Sequence, residues 1–113
     1  MSDQQQPQPN EQQLNEQQKL DDQKFFENID AYIALANAHE TSNRGAPQLV
    51  GASLIFAAAR YNTFLVARAN GEPDAFNAKK DEAKAYFIDQ FTKMLDDNWA
   101  DYNQNFEQYR IQK

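Results

Sequence analysis

The stretch Pro47–Ala69, PQLVGASLIFAAARYNTFLVARA, decides the fold. It is uncharged from Gly45 to Ala59, and Leu49, Val50, Leu54, Ile55, Phe56, Phe64, Leu65 and Val66 point in several helical directions. A helix that is apolar nearly all round has to be covered on more than one side. The stretch therefore reads as the central helix of a small bundle, with Phe56 as a core anchor. Ala57, Ala58 and Ala59 lack bulk, so a neighbouring helix axis can approach closely there. Pro47 suits the first turn, where a missing N–H costs nothing. Gly51 costs roughly 1 kcal/mol relative to alanine inside a helix, and close contact with a neighbouring helix is the expected compensation. Asn70-Gly71 makes a left-handed stop, and Pro73 prevents continuation.

Upstream, Phe25, Phe26, Ile29, Tyr32, Ile33 and Ala36 recur at spacings of three and four, with Glu27, Asn28, Asp30 and Asn37 largely opposite. This is an amphipathic helix of about five turns. Leu20-Asp21-Asp22 supplies its start and cap, and Glu40 to Gly45 is loop chemistry. Before it, the first 24 residues hold nine glutamines, two prolines and only Leu14 and Leu20 as large apolar residues. Such a segment buries too little to offset chain entropy, so residues 1–20 are expected to form a disordered tail, with a weak helix around Glu11 to Leu20 as the alternative.

Downstream, Phe76, Ala83, Phe87, Phe91, Met94, Leu95, Trp99, Tyr102, Phe106 and Tyr109 keep helical spacing. One long third helix is expected from Asp74, with Asp96-Asp97-Asn98 as a candidate break. The resulting expectation is an all-α, antiparallel three-helix bundle over residues 21–113, with helices at roughly 21–39, 47–69 and 74–105. A continuous third helix to Tyr109 would run about 54 Å against about 35 Å for the central one, so its end overhangs. Trp99 is expected to cap the core under the Glu40–Gly45 loop. Tyr102, Phe106 and Tyr109 are harder to bury within one chain and are the candidate protein-contact residues.

Composition narrows the chemistry. With 113 residues there is room for one domain. The chain has no cysteine, which removes disulfides, thiolate metal sites and cysteine nucleophiles. Net charge is -6 and no segment is basic, so nucleic acid is not an expected partner. No basic segment followed by an apolar run opens the sequence, which argues against a signal peptide. The central helix is not expected to span a membrane, because Arg60, Asn62 and Arg68 interrupt it. A cytoplasmic protein is the expectation.

The segment from Phe25 through Ala34-Leu35-Ala36-Asn37, the run Ala57-Ala58-Ala59-Arg60-Tyr61-Asn62-Thr63-Phe64, Tyr86-Phe87 and the late Met94-Leu95-Asp96-Asp97-Asn98 carry a likeness. The chain resembles a small bacterial family catalogued as a domain of unknown function. The likeness spans roughly residues 24–103 and rests mainly on the AAARYN-type run and the MLDDN. It implies a compact helical protein from bacteria and carries over no site residues.

Three polar residues inside the central helix are the candidate ligand site. Arg60 could hold a carboxylate or phosphate through its planar donor fork, beside Tyr61 and Asn62. The competing reading packs the arginine stem on the bundle and pairs its head with Asp30 or Asp89. His39, the single histidine, has no nucleophile or orienting group assigned to it and suits the dipole of a helix C-terminus. One histidine and no Glu-x-x-His excludes a di-iron site. Asp96, Asp97 and Asp101 lack calcium-loop spacing, and Gly45, Gly51 and Gly71 form no phosphate loop. No cofactor is expected. The sequence points to a non-enzymatic protein-interaction module, with a second copy or another protein as partner. The alternative is a binder or enzyme for a small anion near Arg60 and Tyr61.

Overall fold

The computed structural model describes residues 10–110, and they are helical almost throughout. The elements are α1 (Glu11–Thr41), α2 (Pro47–Asn70), α3 (Pro73–Ala78), α4 (Lys80–Gln104) and α5 (Phe106–Arg110). Among the described residues five helices stand where three were expected, and each of the three boundary changes has a local cause.

α1 starts at Glu11, about ten residues before the expected Asp21. Asn10 accepts the Gln13 backbone N–H at 2.8 Å, and the Gln13 side chain accepts the Asn10 N–H at 3.1 Å, a reciprocal capping box. Gln17, Gln18 and Gln23 then donate to Asp21, Asp22 and Glu27 one turn on, at 2.8–3.0 Å. Such i,i+4 pairs support a helix with no tertiary contact, so the glutamine-rich stretch from residue 11 to 20 is helix. The remainder of the expected tail, residues 1–9, lies outside the described residues.

At its other end α1 closes in a Schellman turn. Asn43, at φ 60°, takes the left-handed position, while the Arg44 N–H reaches back to the His39 carbonyl at 2.9 Å. α2 begins at Pro47 and stops at Gly71 (φ 72°), as the sequence indicates. The expected long third helix is broken twice. Lys79, at ψ -4°, flattens out of the helix and its N–H bonds the Phe76 carbonyl at 3.0 Å, a tightened turn separating α3 from α4. Asn105 turns its amide onto the Asp101 carbonyl and carboxylate at 3.2 and 2.9 Å, competing with the backbone and ending α4. The candidate break at Asp96-Asp97-Asn98 is not one: the Asn98 amide bonds back to the Met94 carbonyl at 2.7 Å inside a continuous α4.

The chain divides into two units, Met1–Ala57 and Ala58–Lys113, with the division inside α2. In the first, α1 and the start of α2 are joined by a short link but do not pack along one another. In the second, the end of α2, α3 and the start of α4 make a helical corner where Leu65, Val66, Phe76, Ala83 and Phe87 are half-buried. No described residue is fully buried. The antiparallel packing of three long helices is thus not formed within either unit. Phe56, expected as a core anchor, is 68% exposed, and Trp99, expected to cap the core, is 73% exposed. Gly51 has nothing within 4 Å of a would-be Cβ, so the close helix contact expected there is also absent among the described residues.

Candidate functional site

Arg60, Tyr61 and Asn62 occupy consecutive positions of α2 and so point in three directions, about 100° apart. Asn62 is engaged by its own helix, its amide donating to the Ala58 carbonyl at 2.8 Å. Thr63 does the same to Ala59 at 2.8 Å. Tyr61 lies against Phe64, ring centroids 6.2 Å apart, and the Arg68 guanidinium sits 5.4 Å from the Phe64 centroid. Arg60 has no carboxylate partner among the described residues of its own unit, and Asp89, one of its two expected partners, is paired with Lys93 at 3.0 Å. The three residues therefore do not converge on a common point, and of the three only Asn62 lines either of the two hollows of this unit.

The concave surface of the second unit lies beside them. A groove of roughly 520 Å³ opens at the corner of α2, α3 and α4, between Leu65, Val66 and Ala69 on one side and Ala83, Tyr86 and Phe87 on the other. Asn62 and the Lys79–Glu82 ion pair, 3.6 Å long, also line it. A second, smaller hollow of about 400 Å³ is lined by Leu95, Trp99, Tyr102 and Phe106. Of the expected contact residues, Tyr102 and Phe106 line this hollow, and Tyr109 lies against Tyr102. The turn at Asn105 folds α5 back so that Tyr109 lies 4.3 Å from Tyr102 between centroids, tilted 32°, and its hydroxyl donates to Asp101 at 2.8 Å. That hydrogen bond, more than the carboxylate's charge, holds the Tyr109 phenol above its ordinary value of 10.0. Sequence periodicity placed these aromatics on one helix face. It missed the return turn, whose signal was Asn105 four residues after Asp101.

The larger feature is the apolar surface of the long helices. α1 leaves Phe25, Phe26, Ile29, Tyr32 and Ile33 open, α2 leaves Leu54, Ile55, Phe56, Tyr61 and Phe64, and α4 leaves Phe91, Met94, Leu95 and Trp99. Charge separates by helix as well. α1 carries seven carboxylates against two lysines, α2 carries Arg60 and Arg68 with no acid, and α4 carries six acids against three lysines. No acid occurs from Thr41 to Gly71. By length and composition α2 is apolar enough to cross a membrane: 24 residues, with hydropathy 1.4 over an 18-residue stretch. The central helix of a helical bundle meets the same measure, so length and composition alone assign α2 to neither setting.

An all-helical chain with no buried core and no convergent polar centre among its described residues defines a class, that of helical proteins with open apolar faces. Residues 25–103 match the family described as "Protein of unknown function (DUF3144)", and the chain belongs to that family. The match begins at the α1 apolar stripe and ends one residue before the end of α4, leaving α5 outside it. No curated protein and no solved structure matches the chain.

Proposed function

We propose that this chain is a non-enzymatic helical module that acts through protein contact and completes its fold on association. The observation that carries the reading is the open state of the long helices: none of their large apolar side chains is buried. Soluble monomers rarely leave apolar patches beyond a few hundred Å² uncovered, and larger ones mark interaction surfaces. In the associated state the long helices pack in the antiparallel bundle that their sequence pattern favours, and the setting is a bacterial cytoplasm. Trp99 and Tyr102, beside Phe106, are the residue types that anchor interfaces. The anion-site alternative has no comparable support, because Asn62 is occupied by its helix and Arg60 lines neither hollow.

Urea unfolding followed by circular dichroism over a wide range of protein concentration tests the reading. Folding coupled to association makes the midpoint rise with concentration or with added partner. A sharp, cooperative transition whose midpoint is the same at every concentration, with no partner present, refutes it.

A further inference from the structure

We propose that a second copy of this chain covers α2: the α2 of one copy lies along the α1 of the other, reciprocally, with Arg60 and Arg68 facing Asp22 and Asp30. This rests on the contact-module reading and names its partner. Three observations converge on it.

The first is charge. α2 presents only arginines and α1 is strongly acidic, so one chain carries both halves of a complementary pair on separate helices. Two copies related by a two-fold axis then satisfy each other twice and close without exposing a further surface. α4 is the weaker candidate for the acidic side, because Asp89 is paired with Lys93 and Glu82 with Lys79, whereas among the described residues no acid of α1 forms an ion pair.

The second is register. Arg60 and Arg68 are eight residues apart, about 12 Å along the helix, and so are Asp22 and Asp30. Arg60 lies in one row with Phe56 and Phe64, a turn to either side, and Asp30 lies a turn from Phe26 and Ile33 at the edge of the α1 stripe. Packing these sides together brings the charges into the same contact.

The third is area. The open apolar residues of α1 and α2 are between 37% and 68% exposed. Eight of them, the α1 stripe together with Phe56, Tyr61 and Phe64 on the Arg60 side of α2, amount to on the order of 800 Å² per copy, matching the about 800 Å² per partner of a standard specific interface. A pair formed in this way covers the stripe that α1 leaves open and the Arg60 side of α2; the open face of α4 is not part of this contact.

The test uses the full chain, two charge-reversed variants, Arg60→Glu/Arg68→Glu and Asp22→Arg/Asp30→Arg, and a third variant carrying all four substitutions, measured by sedimentation equilibrium. The wild type should show twice the 13.0 kDa chain mass. Each variant alone should associate at least about tenfold more weakly, ~1.4 kcal/mol. An equimolar mixture of the two should recover wild-type association within about threefold, because reversed α2 meets reversed α1 and the two native helices meet each other. Loss with each variant and recovery on mixing supports the proposal even where either variant alone is poorly helical. Three results overturn it. One is a single-chain mass for the wild type at about 100 µM. Another is recovery only when all four substitutions share one chain, which places the contact within a chain. The third is co-flotation of the wild type with phosphatidylcholine–phosphatidylglycerol vesicles and no two-chain mass, which assigns α2 to lipid. A single-chain mass with a concentration-dependent, partner-dependent midpoint would reject the second copy and leave the contact-module reading standing. A fixed cooperative midpoint rejects both.

Discussion

Replacing Phe56 by alanine separates a surface that waits for a partner from a core that is already formed. The ring is 68% exposed, and a phenylalanine has about 200 Å² to bury, so roughly 140 Å² remains to be covered on association. At 25 cal/mol per Å² this is about 3.4 kcal/mol, reduced to about 2–3 kcal/mol by the methyl group that alanine keeps. A two-fold pair contains the residue twice, so the dimer constant should weaken by on the order of 10³- to 10⁴-fold. Helix content of the dilute variant should hold or rise slightly, because alanine outranks phenylalanine in helix propensity by up to ~0.5 kcal/mol. Sedimentation equilibrium reads the first quantity and circular dichroism the second. A dimer constant within about threefold of wild type, together with a stability loss of about 3 kcal/mol in the dilute chain, would refute the reasoning. It would mean that Phe56 is packed inside the single chain.

Asn10→Ala removes the capping box and should fray the first turns of α1 by about 1 kcal/mol, read as faster amide exchange from residue 11 to 20 with association unchanged. Gly51→Ala meets no atom within 4 Å and should stabilise α2 by up to about 1 kcal/mol in the dilute chain; weakened association in the same variant would show that a partner helix packs closely at Gly51. Tyr109→Phe tests the Asp101 contact by pH. Asp101 favours the protonated phenol, so its small stabilising contribution is complete below pH 10 and disappears as pH rises through the elevated value. Phenolate absorbance of the variant should lose a step that titrates above 10.0, and a curve that keeps this step would show that another residue supplies it.

Periodicity made the helices of this chain legible because helical spacing is a local property, and residues 47–70 carry their own start in Pro47 and stop in Gly71. The same reasoning placed α1 too late, because it weighed glutamine as a residue that buries nothing. Asn10 and the Gln–Asp pairs stabilise a helix without burial. The breaks at Lys79 and Asn105 were hidden by an apolar pattern that continues straight through them. Phe56 and Trp99 were placed inside because a large apolar side chain needs cover, and sequence pattern does not say whose atoms supply it. Arg60 drew attention for the right reason, a charge in an apolar helix, while Asn62 beside it proved to be bonded to its own backbone.

The turn at Asn43 and the break at Lys79 leave long helices held mostly by contacts within each helix, which has a kinetic consequence. Such segments form on the microsecond scale without waiting for distant parts of the chain to meet. Any slow step must then be the encounter with whatever covers the apolar faces, and its rate scales with concentration. A newly made chain presents Phe56 and Trp99 to solvent until that encounter occurs. During that interval it is open to proteases, which act on whatever fraction is uncovered. Supply of the covering partner would therefore set how long each copy survives.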